Sequence, residues 1–360
     1  MRINKGCLSQ IPGYVAAGLM ILITTVWTYW GMAEMYHEGW WGAWYNRLPY
    51  LVPGAVCLAL TLVALTWPRL GGVLIVLIGG AFTLFFLDVQ VVDGRLTFER
   101  SLGGIMVSGP LVLLGGLFLV EGILKRRREA PSRPAAPWWR RNLRYLLALG
   151  PPLAVVVGVS AYMLPIVLTR LDDGDRSARL IEGHGVTLVW APEGPGWNWR
   201  QPWGGYPSWD DVALYGVPPV GLEDKPGYGR TAHGWVHADA EDMARTNLCR
   251  YLSADGRTLL AQPQDVWRMP TTDELVRSLV RHGENAGCVW DGAIRQQATC
   301  DVLPDKESPL WATDRAPVYY WSAGEYNAQE GYFVSYNGFV NATHKSGGNP
   351  RHSYRCVREP

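Results

Sequence analysis

Apolar positions are spread unevenly along the chain. Five charge-poor apolar runs, at about 12–33, 48–67, 70–89, 103–124 and 145–168, alternate with short polar stretches. About 20 helical residues cross the roughly 30 Å of bilayer hydrocarbon, so each run is long enough to span it. The pattern predicts a membrane α-helical bundle of five transmembrane helices over residues 1–168. The first run ends on Trp27, Tyr29 and Trp30 without a small-residue cleavage site, so it reads as a retained helix and not a signal peptide. Only Trp67-Pro68-Arg69 separates the second run from the third. That suits a tight helical hairpin, because Pro cannot continue a helix and Arg reaches the headgroups. Gly71, Gly72, Gly79, Gly80, Gly104, Gly115 and Gly116 read as close helix-packing surfaces.

Beyond Thr169 the pattern changes to short strands and turns. Pro and Gly crowd 192–229, which reads as a loop-rich layer over 169–234 that packs on the domain behind it. From Ala238 the spacing becomes helical, with Asp239 as cap, Ala244, Leu248 and Leu252 in register, and Asp255-Gly256 as the stop. Thr271 stands three residues before Glu274, a capping box ahead of Leu275, Val276, Leu279 and Val280, with Gly283 closing the helix. Tyr332, Val334 and Tyr336 alternate with Phe333 and Ser335, and Asn337-Gly338 supplies a two-residue hairpin turn before Phe339–Thr343 returns. Residues 353–358 form a last strand.

Composition sharpens this picture. The 360 residues are 48% apolar and only 18% charged, with 18 Trp, 17 Tyr, 41 Gly and 25 Pro, which excludes a disordered chain. The net charge of +1 hides +7 before Thr169 and −6 after it, and offers no nucleic-acid footprint. The segment 125–144 holds Lys125, Arg126, Arg127, Arg128, Arg133, Arg140, Arg141 and Arg144 against Glu129 alone, so it belongs in the cytoplasm, as do Arg2 and Lys5. Alternation then places loops 34–47 and 90–102, and everything after Leu168, outside. The chain reads as a multi-pass protein of the plasma or inner membrane, amino end in and carboxyl end out, with the lipid bilayer as its first partner. Trp40, Trp41, Trp44 and Tyr45 in the first outer loop suit the membrane interface. Asp88 and Glu121 lie near enough to span ends to reach water, so an ion pathway is the weaker reading.

Four cysteines, Cys249, Cys288, Cys300 and Cys356, lie in the outer half, whereas Cys7 and Cys57 are single thiols in the anchor. An even set outside the cytosol reads as two disulfides. Cys249 with Cys356 and Cys288 with Cys300 is the preferred pairing, since the inner pair closes a local excursion and the outer pair ties the domain's ends. No metal is expected. His233 and His237 stand four apart, but Gly234, Trp235 and Val236 oppose a helix there. Asp301, Asp305 and Glu307 lack the regular oxygen spacing of a calcium loop and read as solvated. Asn341-Ala342-Thr343 is a glycosylation sequon that matters only in a eukaryotic source. No catalytic motif or cofactor-binding loop stands out.

The phrase VWRMPTTDEL at 266–275, then YYWSAGEYNAQEGYFVSYNGFVNATHKSG at 319–347 and YRCVR at 354–358, together resemble the Lcl C-terminal domain family. The resemblance covers about 235–358 and implies an extracytoplasmic α+β domain of C-type-lectin-like fold over 235–360, with the early-helix and closing-strand cysteines paired. It also implies recognition or adhesion without catalysis, toward a glycan, envelope polymer or protein. Trp321, Tyr326, Asn327, Tyr336, Asn337 and Asn341 are the candidate ligand contacts, with core and turn roles as the plain alternative. A related branch, the formylglycine-generating (sulfatase-modifying) enzymes, is similar over 238–282. Their chemistry needs a close cysteine pair near the carboxyl end, and this chain has only Cys356 there. An oxidase with relocated thiols would keep Cys356 free and reactive. A sensor signalling to the basic inner loop is the third reading.

Overall fold

A computed structural model of the chain describes residues 11–92, 98–126, 137–200, 205–217, 227–231 and 234–360. Cys7, His233, Arg127, Arg128, Glu129 and Arg133 lie outside the described residues. Two compact units emerge, one of Met1–Tyr36 with Arg47–Pro165, the other of His37–Asn46 with Ile166–Pro360.

The first unit is helical. Helices α1 (Ile11–Glu34), α2 (Leu48–Thr66), α3 (Pro68–Val92), α4 (Phe98–Arg126) and α5 (Trp138–Leu168) cover the five apolar runs. Among the described residues, three helical stretches are long and apolar enough to cross a membrane, Ile11–Gly39, Trp44–Thr66 and Asn142–Leu168, and Pro68–Leu84 and Gly109–Leu124 are shorter apolar stretches. The bundle's interior gathers Ala16, Met20, Leu60, Ala64, Ile75, Leu114 and Phe118. Outward it shows Leu77, Leu84, Leu113 and Val157, a surface suited to lipid rather than water. Helices α3 and α4 approach backbone to backbone. A β-carbon on Gly72 would lie 2.8 Å from the Gly115 carbonyl oxygen, and one on Gly115 2.7 Å from that of Gly72. Gly80 and Gly116, by contrast, have nothing within 4 Å among the described residues. The buried hydroxyls of Thr24 and Thr61 satisfy each other at 3.2 Å between α1 and α2. Glu121, expected at the water's edge, is instead buried against Gly13.

The second unit is built on a six-stranded sheet in the order β3 (Trp197–Asn198), β12 (His352–Arg355), β9 (Tyr319–Asn327), β10 (Glu330–Ser335), β11 (Phe339–His344), β8 (Gln296–Gln297). The pairs are antiparallel except β12 with β9. Both faces are covered, so the two-residue period sorts side chains into two cores. Tyr320, Val334, Tyr336 and Val340 face Trp190, Trp311, Leu275 and Cys288. Trp321, Phe333 and Tyr354 face Trp209, Met243, Leu248, Trp267 and the buried Cys249 and Cys356.

The described strands within 169–234 are woven into this unit. A second sheet runs β1 (Arg179–Gly183), β2 (Val186–Trp190), β13 (Val357–Arg358), and β3 pairs with β12. The expected boundary at 234/235 falls inside the hairpin of β4 (Gly229–Thr231) and β5 (Gly234–Val236).

The two outer helices are shorter than the spacing suggests. In α7 (Ala240–Thr246; α6 is Trp209–Ala213), Asp239 and Asp242 form the capping box, but Asn247 is extended and its side chain donates to Met243 O, which stops the helix. Met243, not Ala244, then faces the core. Thr271 and Glu274 cap α8 (Thr272–Arg277) as expected. Val280–Arg281 leaves the helix to pair with Glu284–Asn285, because His282 and Gly283 adopt positive φ and turn the chain. At the β10–β11 turn only Gly338 has positive φ, and pairing starts at Val334 with Val340, so the connection is longer than a two-residue turn.

Cys249 pairs with Cys356 across 107 residues, and Cys288 with Cys300 across 12. Chain entropy predicts that C249A/C356A costs about 4–5 kcal/mol and C288A/C300A about 3 kcal/mol. Urea unfolding of the three proteins should rank them so; equal midpoints would show that the long closure is not what the outer unit depends on.

Candidate functional site

A row of three aromatic rings crosses β9, β10 and the loop before β8. The Tyr332 ring lies 5.4 Å from Trp290 and 5.8 Å from Tyr326, edge to face in both cases. Tyr326 is exposed, and the other two are half-buried. Gly324 makes room beneath, since a β-carbon there would lie 3.1 Å from Tyr332 Cδ2 and 3.2 Å from Thr272 Oγ1.

The loop carrying Trp290 is pinned by its own bonds. Cys288–Cys300 closes it, and Val289 and Thr299 exchange backbone hydrogen bonds at 2.7 and 3.1 Å. Trp290 Nε1 donates to Ala293 O at 2.7 Å, while Asp291 Oδ1 accepts from Ala293 N at 2.9 Å and from Gln296 Nε2 at 2.5 Å. Those two bonds hold the Asp291 carboxyl below its usual range, so it stays ionised beside the row. Partial burial, then the neighbouring Tyr326 phenol, push the Tyr332 phenol up, and it remains neutral, able to donate and accept. A rigid, amphipathic aromatic strip is what this arrangement offers chemically.

Of the six candidate contacts, one lies on this row: Tyr326. Trp321 is fully buried, its Nε1 donating to Pro207 O at 3.0 Å and its ring stacked 4.5 Å from His352. Tyr336 is also enclosed, with the rings of His37, Trp41 and Trp311 around it. Neither presents a face to a ligand. Asn327 is a turn former: its Oδ1 accepts from Gln329 N and Glu330 N, and its Nδ2 donates to Glu330. Asn337 does the same for Phe339 N at 3.2 Å. Asn341 is half-buried opposite Phe333 on the core side, its Oδ1 without a hydrogen-bond partner.

Trp290 and Tyr332 were not legible as site residues. Tyr332 does sit in the alternating strand, but nothing in the linear order brings Trp290 to it. The acidic stretch is a correction as well. Asp305 and Glu307, expected in solvent, are 3% and 1% exposed. Asp305 is paired with Arg170 at 2.7 Å and Arg281 at 2.6 Å, and Glu307 accepts from His282 N. Asp301 alone is solvated. His237, read as an ordinary polar residue, has an enclosed side chain whose Nδ1 lies 2.7 Å from Asp210 Oδ2.

Among known proteins, a family profile described as Domain of unknown function (DUF7670) matches residues 5–130, the stretch that holds α1 to α4. No curated protein and no solved structure matches the chain.

His352 gives the outer unit a pH dependence. Its ring is buried among Trp321, Tyr319 and Phe333 with neither nitrogen hydrogen-bonded, and burial pushes its pKa from 6.5 down to about 3. The unfolded chain then binds the extra proton first, so this stability is full above pH 6.5 and is lost as pH falls toward 3. At pH 4.5 the loss is about 2–3 kcal/mol. His352→Phe, which keeps the stack, should flatten the acid limb of stability against pH. An unchanged slope would place the acid sensitivity elsewhere.

Proposed function

We propose that the chain is a multi-pass protein of the plasma or inner membrane that displays a C-type-lectin-like module outside the cytoplasm and binds a glycan or envelope polymer there without chemistry. On this reading all five helices span, the amino end and the basic segment 125–144 face the cytoplasm, and the outer unit follows α5. Two disulfides in the second unit agree with an oxidising exterior.

The observation that carries the reading is the pinned row Trp290–Tyr332–Tyr326. Aromatic faces with polar tips on a rigid support are what a neutral, hydroxyl-rich polymer needs, because apolar ring faces of a sugar stack on them while its hydroxyls stay hydrated. Pre-fixing the loop spares ordering entropy on binding. The oxidase reading requires a free Cys356, and Cys356 is buried and bonded to Cys249.

The test is a glycan and envelope-polymer binding screen on the full chain in lipid nanodiscs. A binder should lose about tenfold or more in affinity on Trp290→Ala and on Tyr326→Ala, as truncated aromatic anchors do. Trp235→Ala, which removes an exposed ring of the β4–β5 hairpin, should leave affinity unchanged. A panel without binders, or a binder indifferent to both variants of the row, would overturn the proposal.

A further inference from the structure

The first outer loop, His37–Asn46, belongs to the second unit although both of its chain neighbours belong to the first. Its four aromatic residues divide. Trp44 and Tyr45 are 68% and 60% exposed, while Trp41 is 3% exposed and sits in the outer core with Trp311, Tyr336 and Val340. Trp40 is half-buried against the same core. Only Trp44 and Tyr45 therefore keep the interfacial exposure expected of all four.

The slot that takes Trp41 is charged. The Arg170 guanidinium lies over its ring at 4.5 Å and the Lys306 ammonium at 4.4 Å. Lys306 is wholly buried and also donates to Arg315 O. Arg170 is held in place by Asp305. Burial, then the Arg170 charge, push the Lys306 amine well below its ordinary pKa, and an indole face over both groups offsets part of what they lose by leaving water. The loop is shaped to deliver it, since Trp41 Nε1 donates to His37 O at 2.8 Å and so closes the loop on itself. His37 Nδ1 lies 3.0 Å from the Tyr336 hydroxyl, and Glu38 accepts from the Tyr319 hydroxyl.

We infer that the outer unit holds its own first loop as a built-in ligand, with Trp41 as the anchor, and that this grip fastens the unit to the membrane apart from the chain link at 165–166. The outer unit is thus completed by residues that precede it by more than a hundred positions, whether or not the ring row takes a glycan.

The experiment uses the full chain in membranes opened on both sides, with a site-specific protease sequence inserted between Leu168 and the exposed Thr169. After cutting and washing, the fragment from Thr169 to Pro360 should stay with the membrane, and Trp41→Ala should send most of it into the supernatant. Because Trp41→Ala also empties a core position, a second measurement leaves the protein unmutated. Excess synthetic peptide of residues 36–47 should strip the cut wild-type fragment off the membrane, and the same peptide carrying W41A should not. Release of the wild-type fragment on cutting alone would overturn the inference. So would equal retention with and without Trp41, or indifference to the peptide.

Discussion

A cation lying over an indole ring is the interaction on which the outer unit depends. Arg355, fully buried, stands 3.7 Å from the Trp197 ring centroid, with Nε donating to Ala191 O and Nη1 to Pro309 O and Leu310 O. Lys345 lies 4.7 Å over Trp209 while bonding Ala238 O and Glu325. Arg170 and Lys306 share Trp41, and Arg358 covers Trp267. Burying a charge costs several kcal/mol even after relaxation, and a desolvated cation over an aromatic face recovers about 2 kcal/mol or more. Carbonyl and carboxylate bonds supply the rest. Part of the Trp content thus has a structural reason: the rings of Trp41, Trp197, Trp209 and Trp267 lie under cationic side chains.

That constraint decides what could be read from the chain and what could not. Helices in the first half were legible because charge-poor apolar runs of some twenty residues are a signal carried by the linear order alone. The caps at Asp239 and Thr271 were legible because a cap is a local bond between a side chain and a backbone amide three residues on. Helix ends were not. Asn247 stops α7 with a bond to Met243 O, and the pairing of Val280–Arg281 with Glu284–Asn285 takes the end of α8 for a strand. The acidic stretch at 305–307 misled for a similar reason. Asp305 and Glu307 look solvated until Arg170 and Arg281 arrive from 135 and 24 residues earlier. Charge is a surface signal only when its partner is water.

The same physics explains why the ligand-contact candidates scattered. Aromatic and amide residues qualify as contacts by what their side chains can do, yet in a sheet covered on both faces most such side chains are taken up by the fold. Trp321 gives its indole N–H to Pro207 O and its face to His352. Asn327 and Asn337 give their oxygens to turn amides. Tyr326 escapes because it sits near the end of β9, beside Tyr332 at the margin of the first core. Trp290 escapes because the disulfide loop lifts it off the strand register altogether.

Trp41 and Trp290 mark opposite solutions to one problem. Both stand on excursions away from regular structure. Trp290 is fixed by covalent and hydrogen bonds within its own loop, so its ring can stay partly open without losing its place. Trp41 is held within its loop by His37 O on its indole N–H and by Asn46 Nδ2 on its carbonyl, while its ring lies against Arg170, Lys306 and the Tyr336 ring across the slot. A ring whose order is paid for by its own loop is available to an outside molecule; a ring ordered by its surroundings is already bound. On that criterion the proposed recognition surface and the proposed internal anchor rest on different tryptophans, each ordered by a different set of bonds.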